Sequence, residues 1–256
     1  MKGLVLEGGG TKGAYQIGAY KALRDLGIEF QGVAGTSIGA LNGAYIIQND
    51  IEIMEDIWLT YDYTHFMNID EETYEKYKNV DFTAKNINSV IELINKARKN
   101  EGIDISPLRE LLEKTLNEDI IRKSNKDFGL VTVWWDKKIN PHPLYKMCIR
   151  DSSYTYYNDY KEKLQVSVSG QIWLDITDKG VNKGLAINKL QELLNIKHEE
   201  TMVFGDYLND LEMMESAYHS YAMENAHDDL KKVARFRAKK NTENGVVEKI
   251  KEVLNI

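Results

Sequence analysis

The sequence predicts an α/β protein made of two incomplete parallel-sheet α/β units in tandem. Three observations carry that expectation. Short apolar runs alternate with stretches of helical period along most of the chain, the pattern of strands joined by crossover helices. Polar, glycine-containing turns follow several of the strands, and open parallel sheets bind ligands in just such turns. Finally, 256 residues suit one large domain or two small ones.

The elements follow in order. Gly3–Glu7 is short, apolar and ends in glycines, so it reads as a buried strand. Ala14–Leu26 places Ile17, Tyr20, Leu23 and Leu26 on one helical face, and Gly27 stops it. Gln31–Gly35 is a second short strand. Ile38–Gln48 is a helix apolar on nearly every side and therefore buried. Ile51–Tyr61 and Val90–Lys99 read as helices. Ser106 caps a helix over Leu108–Leu116, with Pro107 at its first position. Gly129–Trp135 is β-rich.

A second alternation begins with strands at Leu164–Val168 and Trp173–Ile176. Lys183–Leu194 is helical, Thr201–Phe204 a buried strand, Leu208–Ser216 a helix and Ser220–Met223 a strand. Asp228–Phe236 is a helix, and Gly245–Leu254 is a closing amphipathic helix.

Composition excludes several functions. With 43% hydrophobic and 29% charged residues the chain is neither disordered nor low in complexity. A net charge of -7 without a basic block argues against nucleic-acid binding. One Cys rules out a disulfide framework and a multi-Cys zinc site, which leaves a cytoplasmic setting as the expectation. No apolar run is long enough to span a bilayer, so membrane contact is at most peripheral. His65, His142, His198, His219 and His227 lack zinc spacing and read as ordinary residues. Trp134 and Trp135 read as packing, and Arg235–Lys240 as a solvated helix end.

Two motifs in the first forty residues suggest nucleophilic chemistry. Gly8-Gly9-Gly10-Thr11-Lys12-Gly13 lies between a strand and a helix, and so does Gly35-Thr36-Ser37-Ile38-Gly39. The second has the form of a nucleophile elbow. A sharp strand-to-helix turn exposes the serine hydroxyl, and flanking glycines avoid clashes in the turn. The free N–H groups of the helix start and of the glycine loop suit a developing oxyanion. Alone, Ser37 reads equally well as a helix cap. Gly8, Gly10 and Gly13 with Glu29 also satisfy a dinucleotide-binding pattern, which would leave the elbow unexplained. No Gly-Lys-Ser/Thr occurs, so a Walker A loop is excluded.

These residues resemble the patatin-like phospholipases. Leu4-Val-Leu-Glu-Gly-Gly-Gly-Thr-Lys-Gly-Ala-Tyr-Gln-Ile-Gly, Gly35-Thr-Ser-Ile-Gly-Ala-Leu-Asn-Gly and Phe128-Gly-Leu-Val-Thr-Val carry the resemblance, over about residues 1–140. It implies a serine acyl hydrolase with a lipid or small ester as substrate and no cofactor. Ser37 would be the nucleophile, and Gly8, Gly9, Gly10 and Gly13 the oxyanion loop. The family's aspartate base lies in a later Asp-Gly motif, and this sequence contains no Asp-Gly.

The second half carries different chemistry. Gly205-Asp206-Tyr-Leu-Asn209-Asp210 follows an apolar strand and offers hard oxygen ligands of the kind Mg²⁺ takes together with phosphate. Lys183 opens a helix and could neutralise a phosphoryl group, and Asn209 could bond a phosphate oxygen. A solvated acidic loop is the bland alternative. Residues 163–256 resemble the C-terminal part of haloacid-dehalogenase-like phosphatases of the sugar-phosphate type. Asn182-Lys183-Gly184, Gly205–Asp210, Ala222-Met-Glu-Asn-Ala and Asn244-Gly-Val-Val carry this resemblance. It implies Lys183 as a catalytic residue, Asp206 and Asp210 as ligands of Mg²⁺, and a phosphorylated small molecule as substrate. The family's nucleophile lies in an Asp-x-Asp-x-Thr motif, which the sequence lacks; Asp175-Ile-Thr-Asp178 comes nearest.

The expected organisation is therefore a patatin-like part over 1–146, a junction over 147–160 and a phosphatase-like part over 161–256. Met147-Cys-Ile-Arg-Asp-Ser152 resembles the translation of a transposon end used in sequencing libraries. A joined, inactive chimera would leave an irregular segment at 147–160 and uncovered sheet edges and apolar faces.

Overall fold

The computed structural model describes residues 2–61, 66, 104–131, 146–149, 161–162, 164–168, 173–177 and 179–256. Val90–Lys99, Trp134, Trp135, His65 and His142 lie outside the described residues. The chain divides into two compact units, residues 1–80 with 92–134, and residues 81–91 with 135–256.

The first unit runs β1 (Gly3–Leu6), α1 (Gly13–Asp25), β2 (Gly32–Thr36), α2 (Ile38–Gln48), α3 (Ile51–Thr60), α4 (Ser106–Thr115), α5 (Glu118–Lys123) and β3 (Asp127–Val131). Its sheet is parallel in the order β1-β2-β3, with Leu4 opposite Val33 and Val33 opposite Phe128. α1 stops at Gly27 as the sequence predicts: its φ of +74° lets the Ile28 N–H turn back to the Leu23 carbonyl at 3.0 Å. The start of α4 differs from expectation. Ser106 is already helical, and the Asp104 carboxylate accepts its N–H at 2.9 Å and its hydroxyl at 2.6 Å.

α2 is the core of this unit. Tyr45, Ile46 and Ile47 pack with Leu6, Ile17, Val33, Ile51 and Met54. Its buried polar groups all find partners, as burial demands. Asn42 Nδ2 donates to the Gly13 carbonyl at 3.0 Å and to Gln16 Oε1 at 2.9 Å. Tyr45 shares a 2.6 Å hydrogen bond with the Thr115 hydroxyl, and burial raises the Tyr45 pKa. Gln48 Nε2 donates to the Thr115 carbonyl while its Oε1 accepts from Asn117 N, which ties the α4–α5 turn to α2. Val5 and Leu130 on the sheet are 58% and 60% exposed, unusual for a parallel sheet.

The second unit contains β4 (Lys146–Ile149), β5 (Gln165–Val168), β6 (Trp173–Thr177), α6 (Lys183–Leu194), β7 (Met202–Gly205), α7 (Leu211–Glu215), β8 (His219–Met223), α8 (Asp228–Val233), β9 (Phe236–Ala238) and α9 (Gly245–Leu254). β7, β8 and β9 form a parallel sheet in that order. Leu230, Ala217, Ala222, Met214 and Met223 fill its core. Phe204, Tyr221 and Phe236 stack across its strands, with centroid separations of 5.1 and 5.3 Å.

Four features correct the sequence reading. β4, β6 and β5 pair antiparallel, because the 169–172 connection between β5 and β6 is too short for a crossover helix. Lys146–Ile149 is a strand paired with β6, where an irregular segment was expected from residue 147. The helix expected over Leu208–Ser216 starts as a 3₁₀ turn at Leu208–Asp210 before α7. The helix expected to reach Phe236 ends at Val233, and Arg235–Lys240 includes edge strand β9 rather than a helix end. Basic side chains on an edge strand discourage pairing with other chains.

Candidate active site

Two groups of the expected residues come together, one in each unit. In the first unit the turns after β1 and β2 meet. Ser37 starts α2 with φ 52° and ψ -126°, a strained conformation for a residue with a side chain, and it is exposed. A Cβ on Gly8 would lie 3.1 Å from Ser37 Cβ, so the glycine loop packs directly on the serine. The flanking glycines are sterically required. A Cβ on Gly35 would meet the Gly39 carbonyl oxygen at 2.3 Å, and one on Gly39 would meet the Leu6 oxygen at 2.3 Å. Gly9 and Gly10 both have positive φ, and a Cβ on Gly13 would strike Ile38 and Trp58. Gln16, which sequence reasoning missed, donates to the Glu7 carbonyl at 2.8 Å and steadies the loop. Among the described residues, no hydrogen bond joins a carboxylate or imidazole to the Ser37 hydroxyl.

In the second unit, Asp206 follows β7 and Lys183 opens α6. Asn182 Oδ1 caps α6 by accepting from Leu185 N at 2.8 Å, which fixes where Lys183 leaves the helix. Gly184 allows α6 to approach α7, since a Cβ there would lie 2.5 Å from the Glu212 oxygen. Lys183 Nζ then reaches Asp210 Oδ1 at 2.5 Å.

Asp210 has a role that its spacing did not reveal. The residue is 2% exposed. Its Oδ1 pairs with Lys183, and its Oδ2 accepts from the N–H groups of Asp206 at 2.9 Å and Tyr207 at 3.4 Å. Both oxygens are thus engaged by the protein, and Asp210 holds Lys183 and the Asp206 turn together. The available signal was its place three residues after Tyr207, where an acidic side chain can turn back to the N–H groups that open a helical turn. Asp206 is half-buried; its N–H is held by Asp210 and its carbonyl by His227 N at 2.9 Å. Asn209 is half-buried in the turn between them. No cluster of three or more metal-ligating His, Cys, Asp or Glu exists among the described residues. No helix among them is long and apolar enough to cross a membrane.

Comparison with known proteins bears on the family and the fold. A family profile described as haloacid dehalogenase-like hydrolase matches residues 17–250. The match crosses the stretch 147–160 that was expected to separate two unrelated parts. A 5-amino-6-(5-phospho-D-ribitylamino)uracil phosphatase of Bacillus subtilis, YwtE, is 38% identical over 96 residues, which is 38% of this chain and 34% of that protein. YbjI of Escherichia coli, also a 5-amino-6-(5-phospho-D-ribitylamino)uracil phosphatase, is 40% identical over 92 residues, or 36% of this chain and 34% of its own length. The matches thus span about a third of these curated relatives. Among solved structures, a HAD/COF-like hydrolase from Plasmodium vivax superposes with a TM-score of 0.52 at 17% identity, over 100% of this chain and 96% of that one. At that identity the likeness bears on the fold alone, and it supports the α/β class.

Proposed function

The chain belongs to the haloacid dehalogenase-like hydrolases, and from that premise we propose that its second unit binds a phosphorylated small molecule in the manner of a Mg²⁺-dependent phosphatase. The observation that carries this reading is the pairing of Lys183 with Asp210 beside an Asp206 fixed at the C-terminal edge of a parallel sheet.

The donor set fits magnesium held through one carboxylate with phosphate and water oxygens. Asp206 would hold the ion, which would neutralise charge on the phosphoryl group. Lys183 would contact the phosphoryl oxygens, with Asp210 as a positioning residue that keeps its ammonium in place. Asn209 would bond a further phosphate oxygen. The sequence contains no Asp-x-Asp-x-Thr, so the chain is expected to bind phosphate without sustained turnover. The relatives act on a phosphorylated ribitylaminouracil, so a phosphorylated sugar or polyol is the substrate class of choice.

The test is calorimetry with Mg²⁺ and inorganic phosphate. Millimolar binding, lost in Asp206→Asn, is expected. Brisk hydrolysis of p-nitrophenyl phosphate that depends on Asp206 would contradict the view that the nucleophile is missing.

A second reading keeps the first unit as a patatin-like ester-hydrolase part, joined near 147–152 to the phosphatase part. The positive φ of Ser37 and the packing of Gly8 upon it favour this reading. Without an Asp-Gly base, hydrolysis of a p-nitrophenyl ester should be very slow. Robust turnover abolished by Ser37→Ala would show that another base serves, and a clean amplification product from source DNA across codons 147–152 would end the joined-chain reading.

A further inference from the structure

β8 ends at Met223, and residues 224–227 lead from it into α8. This loop lies beside the one that carries Asp206, since the His227 N–H donates to the Asp206 carbonyl at 2.9 Å. Two adjacent parallel strands therefore deliver Asp206 and His227 side by side at the sheet edge where such folds bind ligands.

The imidazole is oriented from two directions. Its Nδ1 accepts the Asp229 N–H at 3.2 Å, which makes His227 the cap of α8. Its ring meets Tyr207 edge-on, with centroids 5.5 Å apart and planes at 71°. An Nδ1 that accepts a hydrogen bond leaves the ring proton on Nε2. The side chain is 30% exposed, so one oriented N–H donor stands beside the Asp206–Tyr207 loop, which the ring touches through Tyr207. An ordinary cap needs only the short acceptor; it has no use for the distal donor or the aromatic brace.

Resting on the phosphate-binding reading of Asp206, we propose that His227 is a further substrate-binding residue, whose Nε2–H donates to the phosphorylated ligand held there. Tyr207 fixes the direction of that donor. Its directed N–H adds geometric selection to the charge supplied by Lys183.

Two conservative substitutions separate this role from capping. Asparagine keeps a short acceptor for the cap and removes the distal donor. Glutamine reaches further with an amide N–H and gives up the cap. The experiment titrates the full chain with inorganic phosphate in the presence of Mg²⁺ and records Tm for each variant. His227→Asn is expected to keep the wild-type Tm and to bind phosphate about ten-fold more weakly, the scale of one hydrogen bond to a charged group. His227→Gln is expected to melt earlier yet bind phosphate better than His227→Asn. Phosphate binding lost in Asp206→Asn but unchanged in His227→Asn would overturn the role of His227 alone. Absent phosphate binding, or binding indifferent to both substitutions, would overturn the underlying site reading and this inference with it.

Discussion

Asp210→Ala is expected to destabilise the second unit by about 3–5 kcal/mol, the usual cost of breaking a buried ion pair from one side. Asp210 is 2% exposed and serves three donors at once: the Lys183 ammonium and the N–H groups of Asp206 and Tyr207. Alanine would leave a part-buried cation and two N–H groups without their acceptor. Denaturant unfolding followed on the second unit's signal would measure the loss. Asp210→Asn keeps the shape and one acceptor, so it should cost less, yet still loosen Lys183. A near-neutral Asp210→Ala would mean that the carboxylate is not what holds the Asp206 turn.

Gly39→Ala is expected to cost the first unit about 3 kcal/mol or to prevent its folding, at the upper end of what overpacking does. The new Cβ would lie 2.3 Å from the Leu6 oxygen and 2.5 Å from the Glu7 oxygen, which are main-chain atoms of β1 and the residue after it. Neither can rotate away as a side chain would. Relief requires moving α2 off the sheet, and α2 carries the buried Tyr45–Ile47 run. Thermal unfolding of the purified variant reads the effect. An unchanged melting temperature would show that the turn after β1 gives way easily and that the close fit of the two glycine turns is incidental.

The sequence made the strand–turn–helix units legible because local chemistry dictates them. Gly27 needed a positive φ, α2 was apolar on nearly every side, and the glycines around Ser37 announced a close approach that the packing of Gly35 and Gly39 bears out. The antiparallel pairing of β4, β6 and β5 was hidden because pairing direction is a tertiary property. The boundary between α8 and β9 was hidden because Val233 and Phe236 continue an apolar pattern that fits either element. The inward contacts of Asp210 were hidden for a different reason. Spacing shows that two carboxylates share a turn, while only side-chain direction shows that one faces inward to Lys183.

We propose that Asp206 and Lys183 hold a phosphorylated ligand with Mg²⁺. The most direct measurement is a crystal structure of the chain soaked with Mg²⁺ and tungstate, a stable stand-in for phosphate. The account predicts a magnesium ion on the Asp206 carboxylate and the oxyanion within hydrogen-bond reach of Lys183 Nζ, with Asp210 still turned inward. Clear density for the second unit with no ion at Asp206, or tungstate bound only elsewhere, would contradict it.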